Sequence, residues 1–100
     1  MGYAIFEIKK EKESGINLLK KDDLVSRQSI TIRDAKSLDM KGESIYVKIE
    51  GSSDAIKLAD NIVKENELGK KLSEKEAKPI NDKIKEEEDS ASEGMGFIFG

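Results

Sequence analysis

Cysteine and histidine are both missing from this chain of 100 residues. Without cysteine there is no disulfide framework, no thiolate nucleophile and no thiolate metal site. Without histidine the commonest acid–base group and the commonest metal ligand are also gone. The two absences together exclude most zinc sites and the usual catalytic triads. No apolar run approaches the roughly 18 residues of a membrane span, and the first residues carry no signal-peptide apolar core. A cytoplasmic protein without membrane association is therefore expected. The glycines form neither GxGxxG nor a phosphate-binding loop. No cofactor and no enzymatic activity are expected from such a residue set.

Charge is plentiful: 39% of residues are charged against 36% apolar, a ratio shifted well away from the globular average. Folding remains open to the chain because its apolar residues are clustered in periodic runs. Lys and Glu dominate, a surface often found in proteins from hot environments. Residues 1–50 sum to +1 and residues 51–100 to −4, giving the net −3. Neither half is basic enough to hold duplex nucleic acid by Coulomb attraction alone.

The clearest pattern runs from Ser44 to Glu67. Ile45, Val47 and Ile49 alternate with Tyr46, Lys48 and Glu50, the period-two signature of a half-buried strand. Gly51, Ser52 and Ser53 break it. Ile56, Ala59, Ile62 and Val63 then recur at helical spacing, with Ala55 and Leu58 widening the stripe. Ser52 or Ser53 is placed to cap this helix and Asp54 to complement its dipole, while Gly69 is placed to end it in the left-handed conformation.

Upstream, Tyr3 to Lys10 reads as a strand apolar on both faces, as a central strand should be. Ile16 to Val25 is a short helix or an irregular loop with apolar pegs. Ser29 to Arg33 is a strand with Ile30 and Ile32 inward. Leu38 and Met40 are expected to anchor the connector that follows. Downstream, Ser73-Glu74-Lys75-Glu76 fits a capping box, and Ala77, Ile80 and Ile84 make a thin helical stripe. Pro79 implies either a kink after a first turn or a helix that starts there. Ser90 to Glu93 reads as a polar linker. Gly94 to Gly100, the most apolar run, reads as a closing strand that pairs inside the sheet.

This order predicts a single α+β domain over residues 1–100: a two-layer sandwich whose antiparallel or mixed four-stranded sheet carries two to three helices mainly on one face. Ferredoxin-like folds, built from split βαβ units, or a variant of them, have this arrangement.

The segment Ile45-Tyr46-Val47-Lys48-Ile49-Glu50-Gly51, leading into Ser53-Asp54-Ala55-Ile56 and then Ala59, Ile62 and Val63, resembles the closing portion of KH RNA-binding domains. The likeness spans about a fifth of the chain. KH domains clamp RNA backbone with a GxxG loop, and no GxxG occurs here, so no functional residue is carried over. Lys41-Gly42 before the third strand matches the start of the signature of RNA recognition motifs, but Glu43, Ile45 and Lys48 stand where that signature has aromatics.

Two surfaces remain as candidates for interaction. Tyr3 and Tyr46 beside Lys9 and Lys48 would form a platform for single-stranded nucleic acid. Met95, Phe97 and Phe99, on one pleat face of the closing run, would pair with a protein partner or a second subunit. The run Glu86 to Asp89 lacks the spacing and glycine of a calcium loop, and no metal is expected. The composite expectation is a small non-enzymatic binding or assembly module using its sheet and apolar closing strand. The alternatives are weak RNA or single-strand binding on the outer sheet face and a small-ligand regulatory domain.

Overall fold

A computed structural model describes the backbone of residues 2–99 and the side chains of residues 2–88. Four strands, β1 (Gly2–Ile8), β2 (Ser29–Asp34), β3 (Ile45–Gly51) and β4 (Gly69–Lys71), form one antiparallel sheet in the order β2-β3-β1-β4. Helix α1 (Ile16–Lys21) joins β1 to β2, and α2 (Ser53–Glu65) joins β3 to β4. Each helix thus bridges two parallel strands with a third strand inserted between them, which makes two interleaved split βαβ units. The long helix α3 (Glu74–Phe99) follows β4.

The alternation in β1 and β3 sorts their side chains to two cores. Ala4, Phe6, Ile8, Ile45, Val47 and Ile49 face inward, where α1 supplies Ile16 and Leu19 and α2 supplies Ala59 and Val63. Ile5 and Tyr46 face outward and are covered by Ala77, Ile80 and Ile84 of α3 together with Ala35, Leu38 and Leu72. Two helices therefore roof the inner face as the sequence implies, and α3 lies across the outer one. Leu38 and Met40 anchor the β2–β3 connector against this outer cluster.

Residues Ile16–Lys21 are helical, and the chain beyond them is pinned by Asp22. Its Oδ1 accepts from the N–H of Leu24 and of Val25, both at 3.0 Å. Ser52 is the cap of α2, its Oγ accepting from Ala55 N–H at 3.3 Å. The helix does not end on Gly69. Glu67 takes the left-handed conformation with φ 52°. Leu68 N–H then reaches Val63 C=O at 3.0 Å and Glu67 N–H reaches Lys64 C=O at 3.2 Å, the paired bonds of a Schellman motif. Gly69 instead opens β4, where a Cβ would collide with the Glu7 carbonyl of β1. The glycine serves strand approach rather than helix termination.

The closing run is not the fourth strand. Helix α3 carries the backbone through Ser90–Glu93 and on to Phe99, and the sheet is completed by Gly69–Lys71. That strand has no hydrophobic alternation because it lies on an edge and Lys70 and Lys71 are exposed. Backbone bonds rather than side-chain burial hold it. Pro79 lies inside α3, so the helix begins from the Ser73 box and passes through the proline.

Candidate binding groove

The short β4 leaves the sheet unfinished. It pairs only with Phe6, Glu7 and Ile8, and the last bond on that side runs from Leu72 N–H to Ile5 C=O at 2.9 Å. The chain then turns away at Ser73, whose N–H donates to Glu76 Oε1 while its Oγ accepts from Glu76 N–H, both at 3.2 Å. Among the described residues, β1 beyond Ile5 has a neighbour on one side only. Gly2 and Ala4 are turned toward Gly51 and Ile49 of β3. Backbone groups alternate sides along a strand, so the N–H and C=O of Tyr3 share the side on which Ile5 meets Leu72, and they face an open edge.

That edge is the floor of a groove of about 1200 Å³. Ala77, Asn81 and Lys85 of α3 wall it on the outer side, and Asp60 and Lys64 of α2 wall it on the inner side. The α2 wall is set by the helical period, since residues 60 and 64 lie four apart and Lys64 Nζ meets Asp60 Oδ2 at 3.1 Å. On the rim, Lys70 Nζ lies 3.6 Å from Glu76 Oε2. Hydrogen bonds from Ser73 and the charge of Lys70 hold the Glu76 carboxyl below its ordinary range, which keeps the capping box ionised.

Two acceptors in the groove walls are unsatisfied. Asn81 is only 6% exposed, and its Oδ1 has no hydrogen-bond partner. Asp60 Oδ1 is likewise buried without a partner. Both oxygens are closed to solvent beneath the groove surface, and leaving a buried polar atom unpaired costs about 1–3 kcal/mol, so each is a stability cost carried by a residue that walls the groove.

The residues expected to form a nucleic-acid platform are divided. Tyr3, 39% exposed, lines the groove, and Lys48 Nζ lies 5.3 Å from its ring centroid, within cation–π range. Lys48 itself is 8% exposed and Tyr46 is 5% exposed. Tyr46 lies under α3 and its hydroxyl donates to Glu7 Oε2 at 3.3 Å. Burial and the neighbouring Glu7 charge push the Tyr46 phenol above its ordinary value. Lys9 lies at the other end of β1, about 20 Å of strand from Tyr3, where its N–H donates to Leu68 C=O. The side chains of Met95, Phe97 and Phe99 lie outside the described residues.

Sequence reading passed over Asp60 and Asn81. Asn81 carried a signal nonetheless: it stands four residues after Ala77 and beside Ile80, a polar residue on an apolar stripe. Among the described residues no helix is long and apolar enough to cross a membrane, and no group of three acidic side chains is placed to hold a metal ion. No family model, curated protein or solved structure matches this chain.

Proposed function

We propose that this chain is a small non-catalytic binding module, a ferredoxin-like variant carrying an extra helix, and that its site is the groove beside Gly2–Ile5. The observation that carries the reading is an unfinished sheet edge held open between two helices. Two of the four groove carboxylates support a non-catalytic role, because Asp60 is engaged by Lys64 and Glu76 by Ser73 and Lys70. Binding on the outer sheet face is disfavoured: stacking needs open aromatic faces, whereas Tyr46 is beneath α3 and Tyr3 is already met by Lys48. The setting is cytoplasmic in this reading, and the ligand is another macromolecule or a small molecule delivered there.

A fragment screen followed by amide chemical shifts of the labelled intact protein tests the site. Weak binders are expected to shift Tyr3, Asp60, Leu72 and Asn81 together. Shifts that gather on β2 or on the α1 side, with the groove silent, refute it.

A further inference from the structure

We propose that the groove takes an extended polypeptide segment, which pairs with β1 at Tyr3 and continues the line of β4. This inference rests on the groove being the binding site and names what fills it.

The floor selects the ligand class. Tyr3 presents one N–H and one C=O side by side on the open edge, and an antiparallel strand opposite it exchanges both bonds with a single residue. A helix has no free backbone groups to offer along its length. A nucleic acid would bring phosphates against the groove carboxylates Asp60, Glu74, Glu76 and Asp82. A second copy of this chain cannot use its own Tyr3 edge, because in each copy that edge is recessed between α2 and α3.

The walls select the side chains. Residues opposite each other on paired strands point to the same face. Tyr3 shares the outer face with Ile5, which packs under α3. The ligand residue opposite Tyr3 therefore points toward the α3 wall and Asn81. Its two neighbours point to the inner face, toward Asp60 and Lys64 of α2. The lining carries five lysines and four carboxylates, a near balance that rewards neither sign. Neutral polar residues (Ser, Thr, Asn or Gln) at these positions suit walls that carry charges of both signs. Asn81 adds a second point of contact, its side-chain N–H donating to a backbone carbonyl of the ligand.

Selection of short linear peptides displayed at random against the intact protein tests this. The expected binders carry neutral polar residues at adjacent positions, slow the exchange of the Tyr3 amide, and give intermolecular backbone cross-peaks to β1. Tyr3→Pro removes the outward N–H and leaves the ladder to β3 whole, so it should weaken the selected peptides by about tenfold or more, one lost backbone bond being worth roughly that factor. Tyr3→Val keeps the N–H and should bind within about threefold of the parent. Asn81→Leu should also weaken binding about tenfold while the protein melts at a higher temperature. Circular dichroism melting of each variant separates lost binding from lost fold. Equal losses in Tyr3→Pro and Tyr3→Val, or peptides that shift groove residues but are indifferent to both, overturn strand pairing and leave the groove standing. A selection that enriches nothing, while fragments still occupy the groove, overturns it in the same way. Peptides that map away from the groove overturn both readings.

Discussion

Glu67 occupies a backbone position that usually goes to glycine, with φ 52° at the end of α2. A side chain in the left-handed region is strained by roughly 1 kcal/mol. Glu67→Gly should therefore stabilise the protein by about 0.5 kcal/mol after the extra freedom of the unfolded chain is counted, measured as a higher denaturant midpoint with an unchanged slope. Gly69 cannot be exchanged in return, because β1 passes too close for any Cβ. Asn81 presents the opposite case, a residue whose surroundings do not satisfy it. Asn81→Leu should raise stability by about 1 kcal/mol, since it removes a buried orphan acceptor and adds apolar burial at similar volume. A residue that improves the fold when removed is expected where function sets the choice. Tyr46 sets a limit at high pH. Its phenol titrates above the ordinary value of 10.0 in the folded chain, so the neutral form favours folding. That contribution is complete below the unfolded value and is lost as pH rises through the folded one. Tyr46→Phe should show a shallower fall in melting temperature on the alkaline side than the parent.

At the scale of elements, α2 and α3 differ in how well they are specified. Helix α2 has a hydroxyl cap, an acidic first turn, a full apolar stripe and a Schellman end. Helix α3 has a reciprocal capping box at its start, yet Pro79 removes one backbone donor inside it. Its buried stripe is thin, and Ile84, fully buried, is its largest contribution to the outer core. Ile84→Ala should cost about 2–5 kcal/mol. Loss of the Arg33–Glu87 bridge should matter far less, about 1 kcal/mol or below, because both side chains are partly exposed although the contact is 2.8 Å. Pairs of urea melts on Ile84→Ala and Glu87→Gln distinguish packing from charge as the source of α3 docking. β1 makes its own prediction through alternation. The Ala4 and Phe6 amides, turned to β3, should exchange slowly, whereas Tyr3 between them and the terminus should exchange quickly in the free protein. Slow exchange at Tyr3 without ligand would mean that its edge is not open.

Across the whole molecule, one row of the sheet ties the layers together. Arg33, Tyr46, Glu7 and Lys70 stand in register across all four strands. Glu76 and Glu87 of α3 engage the two ends of that row, and the Tyr46–Glu7 bond lies between. With α3 bound to the sheet along this line, Ile84→Ala on the outer core and Val47→Ala on the inner core should lower one shared melting transition. A separate early transition in Ile84→Ala alone would show α3 detaching by itself. Much of this architecture was legible because the local chemistry repeats: alternation in residues 45–50, helical spacing in residues 55–63, Ser52 as a cap and the Ser73–Glu76 box are each dictated by neighbours a few positions away. The α+β class and its antiparallel four-stranded sheet follow from them. Three things depended on distant residues and had no local signature. The fourth strand, Gly69–Lys71, is polar because it is an edge, held by bonds to β1 that no periodicity encodes. The cover over the outer face depends on where α3 crosses, which turned Tyr46 from a surface aromatic into a core one. The groove exists only because β4 stops three residues after it starts, leaving Tyr3 unpaired between Asn81 and Asp60, which lie more than twenty residues apart in the chain. Repeating side-chain chemistry determines which segments are strands and helices; which backbone edges are left unpaired is decided only when those segments meet.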